Sequence, residues 1–310
     1  MLTDDATIRV DRLTKRFGAV HAVDDLSFEV RPGAVTGFLG PNGAGKTTTM
    51  RMLLGLVRPT VGTATIGGRA YRDIPDPLRA VGAALDASFH PGRTALDHLR
   101  VYAPAAGASE ARCRMLLDVV GLADVAGRRA GGFSLGMRQR LALGTTLLGD
   151  PRVLVLDEPA NGLDPEGIVW LRGFLRHLAG EGRTVMVSSH VLSEVQQSVD
   201  DVVVISQGRL AHASSLADLA RLTSSRTRVT GPDLATLAAL ARARGWQAST
   251  EGTSLVVHEV TAAEVGGAAF AAGVELHGLT EERSGLEEVF LRLVTPRATT
   301  ATAQPLGGAA

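Results

Sequence analysis

Across 310 residues the chain has one cysteine and two lysines, aromatics make up 4% of it, and 32 acidic side chains balance 32 basic ones. Each scarcity removes a class of explanation. The single Cys113 excludes an internal disulfide and a cysteine-ligated metal cluster, and it fits a reducing compartment. A formal net charge of zero argues against a nucleic-acid binder held by general electrostatics, so no nucleic-acid partner is expected. No run of about 18 apolar residues occurs, so no membrane span is expected. The acidic start Met1-Leu2-Thr3-Asp4-Asp5 lacks the basic-then-apolar pattern of a signal peptide. With few aromatics, the core must be built from Ala, Val and Leu, which an apolar content of 45% supplies.

What is present is more pointed. Arginine has displaced lysine everywhere except Lys15 and Lys46, and Lys46 sits in Gly40-Pro41-Asn42-Gly43-Ala44-Gly45-Lys46-Thr47, a G-x-x-x-x-G-K-T loop. The apolar run Val35–Leu39 precedes it as a short buried strand, and Thr48–Leu54 follows as a helix. In that context glycines let successive backbone N–H groups converge on one concavity, and the helix N-terminus adds partial positive charge there. Residues Gly40 to Thr48 are therefore candidates for cradling a nucleoside triphosphate. A compact ammonium at Lys46 suits the β- and γ-phosphates where a planar guanidinium would not fit. The Thr47 hydroxyl is a candidate magnesium ligand.

A second apolar run, Arg152–Leu156, ends in Asp157-Glu158-Pro159. A carboxylate at the carboxyl end of a strand beside a phosphate loop is where a magnesium-associated acid belongs. Adjacent acids divide the labour: Asp157 orients the metal through its water shell, and Glu158 positions and deprotonates an attacking water. Next come Asn161-Gly162-Leu163-Asp164-Pro165 and, 33 residues beyond Asp157, a strand ending in Ser188-Ser189-His190. At a strand's end His190 could sense a γ-phosphate; a structural histidine is the plainer alternative.

Ile8–Val10 and Leu26–Val30 suggest antiparallel strands, and Thr60–Gly68 has a hairpin-like pattern. Helical spacing over 95–103, 109–121, 134–148, 166–180 and 191–198 alternates from residue 134 with apolar strands 153–156 and 184–187, which implies a parallel sheet covered on both faces. After about residue 220 the order becomes βαββαβ with a last helix over 285–293, and 295–310 reads as a disordered Thr/Ala/Gly/Pro tail. The expected organisation is an ATP-binding unit over 1–220 with a helical insert at about 87–148, then a small accessory unit over 221–294. The fold class is α/β: a phosphate-loop ATPase core with an antiparallel β subdomain and helical insert, plus a small C-terminal α+β domain.

In order and spacing these motifs resemble the ATP-binding subunit of an ABC transporter over about residues 6–212. The resemblance implies ATP and Mg2+ as cofactors and ATP hydrolysis as the reaction. It also implies that Phe17, 23 residues before Gly40, stacks on adenine. Phe133-Ser134-Leu135-Gly136-Met137 stands where the family carries the signature LSGGQ, so Ser134 and the Gly136 N–H would face the γ-phosphate held by a second copy, in a head-to-tail dimer around two ATP molecules. Asp164 joins the nucleotide-binding set. Asp86 occupies the place of a family glutamine, as a metal-associated acid in one reading and as the cap of a turn before Pro91-Gly92 in the other. The altered signature and the appended domain look like the bacitracin- and daunorubicin-type antibiotic-export branch, whose ATPases serve separately encoded multi-helix permeases. A peripheral location on the cytoplasmic face of the membrane follows from that division. Rival expectations are a soluble ABC ATPase acting on ribosomes or nucleic acid, and an ATP-binding regulator that hydrolyses little.

Overall fold

The computed structural model describes residues 6–86, 89–223, 225–283 and 285–295. From the N-terminus run β1 (Ile8–Phe17), β2 (Val20–Val30), β3 (Val35–Leu39), α1 (Lys46–Leu53), β4 (Val61–Ile66), α2 (Pro77–Ala80) and β5 (Val81–Ala84). Three helices follow, α3 (Ala95–Ala106), α4 (Glu110–Val119) and α5 (Leu135–Thr146), and then β6 (Val153–Leu156), α6 (Pro165–Gly180), β7 (Thr184–Ser189), α7 (Leu192–Val195), β8 (Asp201–Ser206), β9 (Arg209–Ser215) and α8 (Leu216–Arg221). The remainder is β10 (Ser225–Thr230), α9 (Leu234–Ala243), β11 (Ala248–Glu251), β12 (Ser254–His258), α10 (Ala262–Ala271), β13 (Gly278–Arg283) and α11 (Leu286–Val294).

Strands β5-β6-β7-β3-β8-β9 form one sheet, parallel throughout except for the antiparallel edge strand β9. Its central strands are buried on both faces, which explains their unbroken apolar runs. Alternation still sorts their side chains. Leu154 and Leu156 of β6 enter a core shared with α3 to α6, while Val153 and Val155 enter a second core shared with α1 and the antiparallel sheet β2-β1-β4. The sheet is thus the partition between two cores, and its strand ends are held from both sides.

Helix starts are fixed by local chemistry. Thr94, Ser134 and Asp164 each accept a backbone N–H of the first turn of α3, α5 and α6, and Pro165 supplies a preset φ at the first position of α6. Beyond residue 224, the antiparallel sheet β11-β12-β10-β13 packs α9 and α10 over a separate small core that includes Val229, Leu237, Leu255 and Val265.

Several expectations are corrected. The pattern over 60–68 holds one extended strand, β4, which pairs with β1, and beyond it only a tight turn at Gly67-Gly68, across which Ile66 and Arg69 exchange backbone hydrogen bonds. The helix expected over 191–198 is only the single turn Leu192–Val195, because the chain must turn back to enter β8. Strands β8 and β9, unassigned from the sequence, complete the central sheet. The last helix returns to the first unit: Val289 and Phe290 of α11 join the core beneath α7, β8 and α8, and Ser206 Oγ donates to the Val294 carbonyl at 2.8 Å. The acidic start over 1–5 and the tail from 296 lie outside the described residues.

Candidate active site

The central sheet places β6, β7 and β3 side by side and parallel, so the residues that follow them, 157–158, 190 and 40–46, emerge at one edge. This is the position at which open α/β sheets hold their ligands. At two positions of the loop from Gly40 to Gly45 there is no room for a side chain. A Cβ on Gly40 would lie 2.5 Å from the Ile205 carbonyl oxygen, and one on Gly45, whose φ is +104°, would lie 2.5 Å from that of Ala22. The resulting pocket, about 350 Å³, is walled by Ala22, Asn42 to Thr48, Glu158, Asn161 and His190.

Lys46 is only 6% exposed. Its ammonium donates to the Gly40 carbonyl at 2.6 Å and stands 3.4 Å from the Pro41 carbonyl and 3.4 Å from Glu158 Oε1. The other oxygen of Glu158 lies 2.9 Å from His190 Nδ1. Glu158 itself has φ +49°, a left-handed conformation that a non-glycine residue adopts at a cost. One residue earlier, Asp157 Oδ2 accepts the Thr47 hydroxyl at 2.6 Å and Oδ1 accepts the hydroxyl of Ser188. A buried cation, the loop from Asn42 to Thr48 and the Glu158 carboxylate thus share one concavity, with Asp157 tied to its wall through Thr47. Such a set can bind a polyphosphate and activate a water beside its terminal phosphate.

The donor set also decides which metal would fit. Thr47 and Asp157 offer only hard oxygen, which suits Mg2+ rather than a transition metal. Among the described residues no group of three or more His, Cys, Asp and Glu could hold a metal ion. A dication here would therefore draw its remaining ligands from phosphate and water, as Mg2+ commonly does.

Not every sequence candidate reaches this pocket. Phe17 stands 51% exposed at the end of β1, with the Lys15 ammonium 4.9 Å from its ring centroid; it is not in the pocket wall, although β2 of the same hairpin contributes Ala22. Ser134 and Asp164 serve in this chain as the N-caps of α5 and α6. Gly136 lies in the first turn of α5, facing Gly162 and Leu163. Leu135 and Arg138 of that helix line a second cavity, whose wall also includes Asp86, Asp157, Glu158 and Asn161. Among the polar residues about the carboxylates, Asn161, which lines both cavities, and Ser188 had no assigned role from the sequence. The available signal for Ser188 was a hydroxyl at the end of an otherwise apolar strand, since a buried hydroxyl requires partners.

Asp86 and Phe89 also border a cleft of about 280 Å³ between the sheet edge and the helical insert. There His98 is 4% exposed, its Nδ1 has no partner, and the Phe89 ring meets it edge-on at 4.6 Å. Burial, reinforced by the charge of Arg93, pushes the His98 pKa down to about 4.

Comparison with known proteins agrees with this geometry. Residues 23–161 match the family model described as ABC transporter, and residues 225–287 match that of a domain of unknown function. The bacitracin transport ATP-binding protein of Bacillus licheniformis is 42% identical over 207 residues, covering 66% of this chain and 68% of that protein. The lantibiotic transport ATP-binding protein of Streptococcus pyogenes is 37% identical over 206 residues, 66% of this chain and 88% of that protein. A solved ATP-binding subunit of an ABC transporter superposes with a TM-score of 0.63 at 30% identity, covering 69% of this chain and 92% of that one. The chain belongs to the ABC transporter family, as an ATP-binding cassette that hydrolyses ATP.

Proposed function

We propose that the chain is the ATPase subunit of a bacterial exporter, that two copies close around ATP, and that the closure drives a separate multi-helix permease exporting a drug- or antibiotic-like compound. The observation that supports the reading most directly is the convergence of Lys46, Glu158 and His190 on the phosphate loop. Export of an antibiotic is inferred from the relatives that transport bacitracin and lantibiotics. No helix among the described residues is long and apolar enough to cross a membrane, so a translocation path needs a partner, and a site on the cytoplasmic face follows from that partnership.

In this reading Lys46 and the loop amides from Asn42 to Thr48 hold the β- and γ-phosphates, with Gly40 and Pro41 setting the loop's approach. Glu158 orients and deprotonates the attacking water, and His190 supports the transferring phosphoryl while fixing the Glu158 carboxylate. Thr47 and Asp157 would hold Mg2+, which when bound neutralises phosphate charge, and Asp86 borders the same space. Phe17 stacks on adenine from the rim. Ser134 and Gly136 at the start of α5 serve the nucleotide of the second copy, with Asp164 holding the adjoining turn. Residues 225–283 form an accessory unit tethered to the ATPase through α11.

The test is capture of the Glu158→Gln variant from detergent-solubilised membranes with ATP and magnesium present. A co-purifying multi-helix permease is the expected result. Recovery only as a soluble homodimer, or with ribosomes or DNA, would move the chain to the soluble ATPases.

A further inference from the structure

We infer that Ser188 is a positioning residue for hydrolysis, holding Asp157 and Glu158 in the arrangement in which both face the phosphate loop. The inference rests on the roles proposed above for those two carboxylates. Ser188 lies near the end of β7 and is fully buried, 0% exposed, directly after Val185, Met186 and Val187. Its hydroxyl works in two directions at once. The O–H donates to Asp157 Oδ1, and the oxygen accepts the Glu158 backbone N–H at 2.8 Å. Both partners are on the end of the neighbouring strand, and both belong to the acidic pair.

Each bond has a consequence. Asp157 has its two oxygens divided, Oδ1 to Ser188 and Oδ2 to Thr47, so the carboxylate plane cannot rotate away from α1. Glu158 adopts φ +49°, and the bond from its N–H to Ser188 holds that left-handed turn. From this backbone the Glu158 side chain reaches Lys46 at 3.4 Å and His190 at 2.9 Å. Without the hydroxyl, a buried N–H would lose its acceptor and the turn would relax toward an unstrained φ. A space-filling role alone would be met by an apolar residue, as at the three preceding positions of the strand.

The experiment compares Ser188→Ala, Ser188→Thr and Ser188→Val in the full chain with Glu158→Gln. It measures ATP affinity by titration, phosphate release, melting temperature, and the magnesium concentration that half-saturates ATP binding. Ser188→Ala is expected to lower kcat about 10- to 100-fold, the scale of a misplaced catalytic group, with ATP affinity within about twofold of wild type. The magnesium midpoint is expected to rise several-fold, and Ser188→Thr to recover most of kcat. A merely structural role would lower the melting temperature and ATP affinity together without moving the magnesium midpoint. Threonine and valine match in shape and differ by the hydroxyl, so equal kcat in these two variants overturns the inference even if the alanine variant does not fold. A wild-type rate in Ser188→Ala beside an inactive Glu158→Gln overturns the inference alone. A wild-type rate in Glu158→Gln overturns the reading beneath it.

Discussion

Replacing Glu158 by glutamine should separate binding from turnover, and the geometry around its carboxylate says by how much. Glu158 Oε1 lies 3.4 Å from the Lys46 ammonium, and both side chains are largely withdrawn from water. Coulomb's law for unit charges at that separation gives about 5 kcal/mol at an effective dielectric constant of about 20. Much of this is returned as desolvation of the pair, which leaves a net tie of about 1–2 kcal/mol. ATP must take Lys46 from Glu158 and then place a charged γ-phosphate beside the remaining carboxylate. Glutamine keeps the shape and removes both penalties, so ATP should bind about 5- to 30-fold more tightly. The same change removes the base, so phosphate release should fall at least about 100-fold. Titration with ATP and a steady-state phosphate assay on one preparation read both numbers, and ATP-dependent dimerisation should persist because turnover no longer empties the site. Unchanged or weaker ATP affinity would refute the idea that the carboxylate competes for Lys46. Normal phosphate release would remove Glu158 from the chemistry.

Gly45→Ala places a Cβ 2.5 Å from the Ala22 carbonyl at φ +104°; overpacking with backbone strain should cost about 2–4 kcal/mol and abolish ATP binding, and a wild-type melting curve with intact ATP titration would contradict it. His98, whose pKa burial lowers from the usual 6.5 to about 4, is neutral in the folded chain while the unfolded chain takes up its proton between those values. Stability should therefore fall as pH drops through that window, by about 1.5 kcal/mol between about pH 6.5 and pH 5, and His98→Phe should lose correspondingly less in denaturant melts at the two pH values; parallel losses would refute the assignment. Truncation after Leu222 removes Val289 and Phe290 from the ATPase core, at about 1.5–3 kcal/mol each, and should lower stability sharply although every nucleotide motif lies upstream. Rejoining 285–295 through a flexible linker in place of 225–284 should restore it, and an unchanged melting temperature in the simple truncate would show that α11 contributes nothing to the core.

The parts of this site that could be read without coordinates are those whose chemistry is local in the chain. The phosphate loop, its lysine and the acid pair after an apolar strand each declare themselves within a few residues, because strand, turn and helix must follow one another there. Strand order could not be read in the same way. Ser188 meets Asp157 only because β6 and β7 are neighbours, a pairing of residues about thirty apart that nothing in either segment encodes. Edge strand β9, Arg-Leu-Ala-His-Ala-Ser-Ser, lacks the apolar run of its buried neighbours and reads as loop. In α11 the spacing of Leu286, Val289, Phe290 and Leu293 puts them on one face, yet an amphipathic stripe does not name the core it will cover.

The altered signature shows how a departure legible in the sequence can change meaning in three dimensions. Read along the chain, Leu135 is simply an apolar side chain where the family carries glycine, beside Met137, which replaces the polar glutamine of the signature. In the fold that side chain occupies the space that a side chain on Gly162 would need: a Cβ there would fall 2.1 Å from Leu135 Cδ2, and Gly162 holds φ +76°. Gly136, one position on, faces Gly162 and Leu163 from the first turn of α5. The start of α5 and the Asn161–Asp164 turn are therefore packed against each other within one subunit, through a leucine that is still 52% exposed. Asn161, in that turn, lines the phosphate pocket and the cavity beside Asp157 and Glu158. A side chain at position 162 would therefore collide with Leu135, so the start of α5 leaves room only for glycine in the turn that borders the carboxylates. The leucine that departs from the family signature thus belongs to the packing of the turn whose Asn161 lines the cavity beside Asp157 and Glu158.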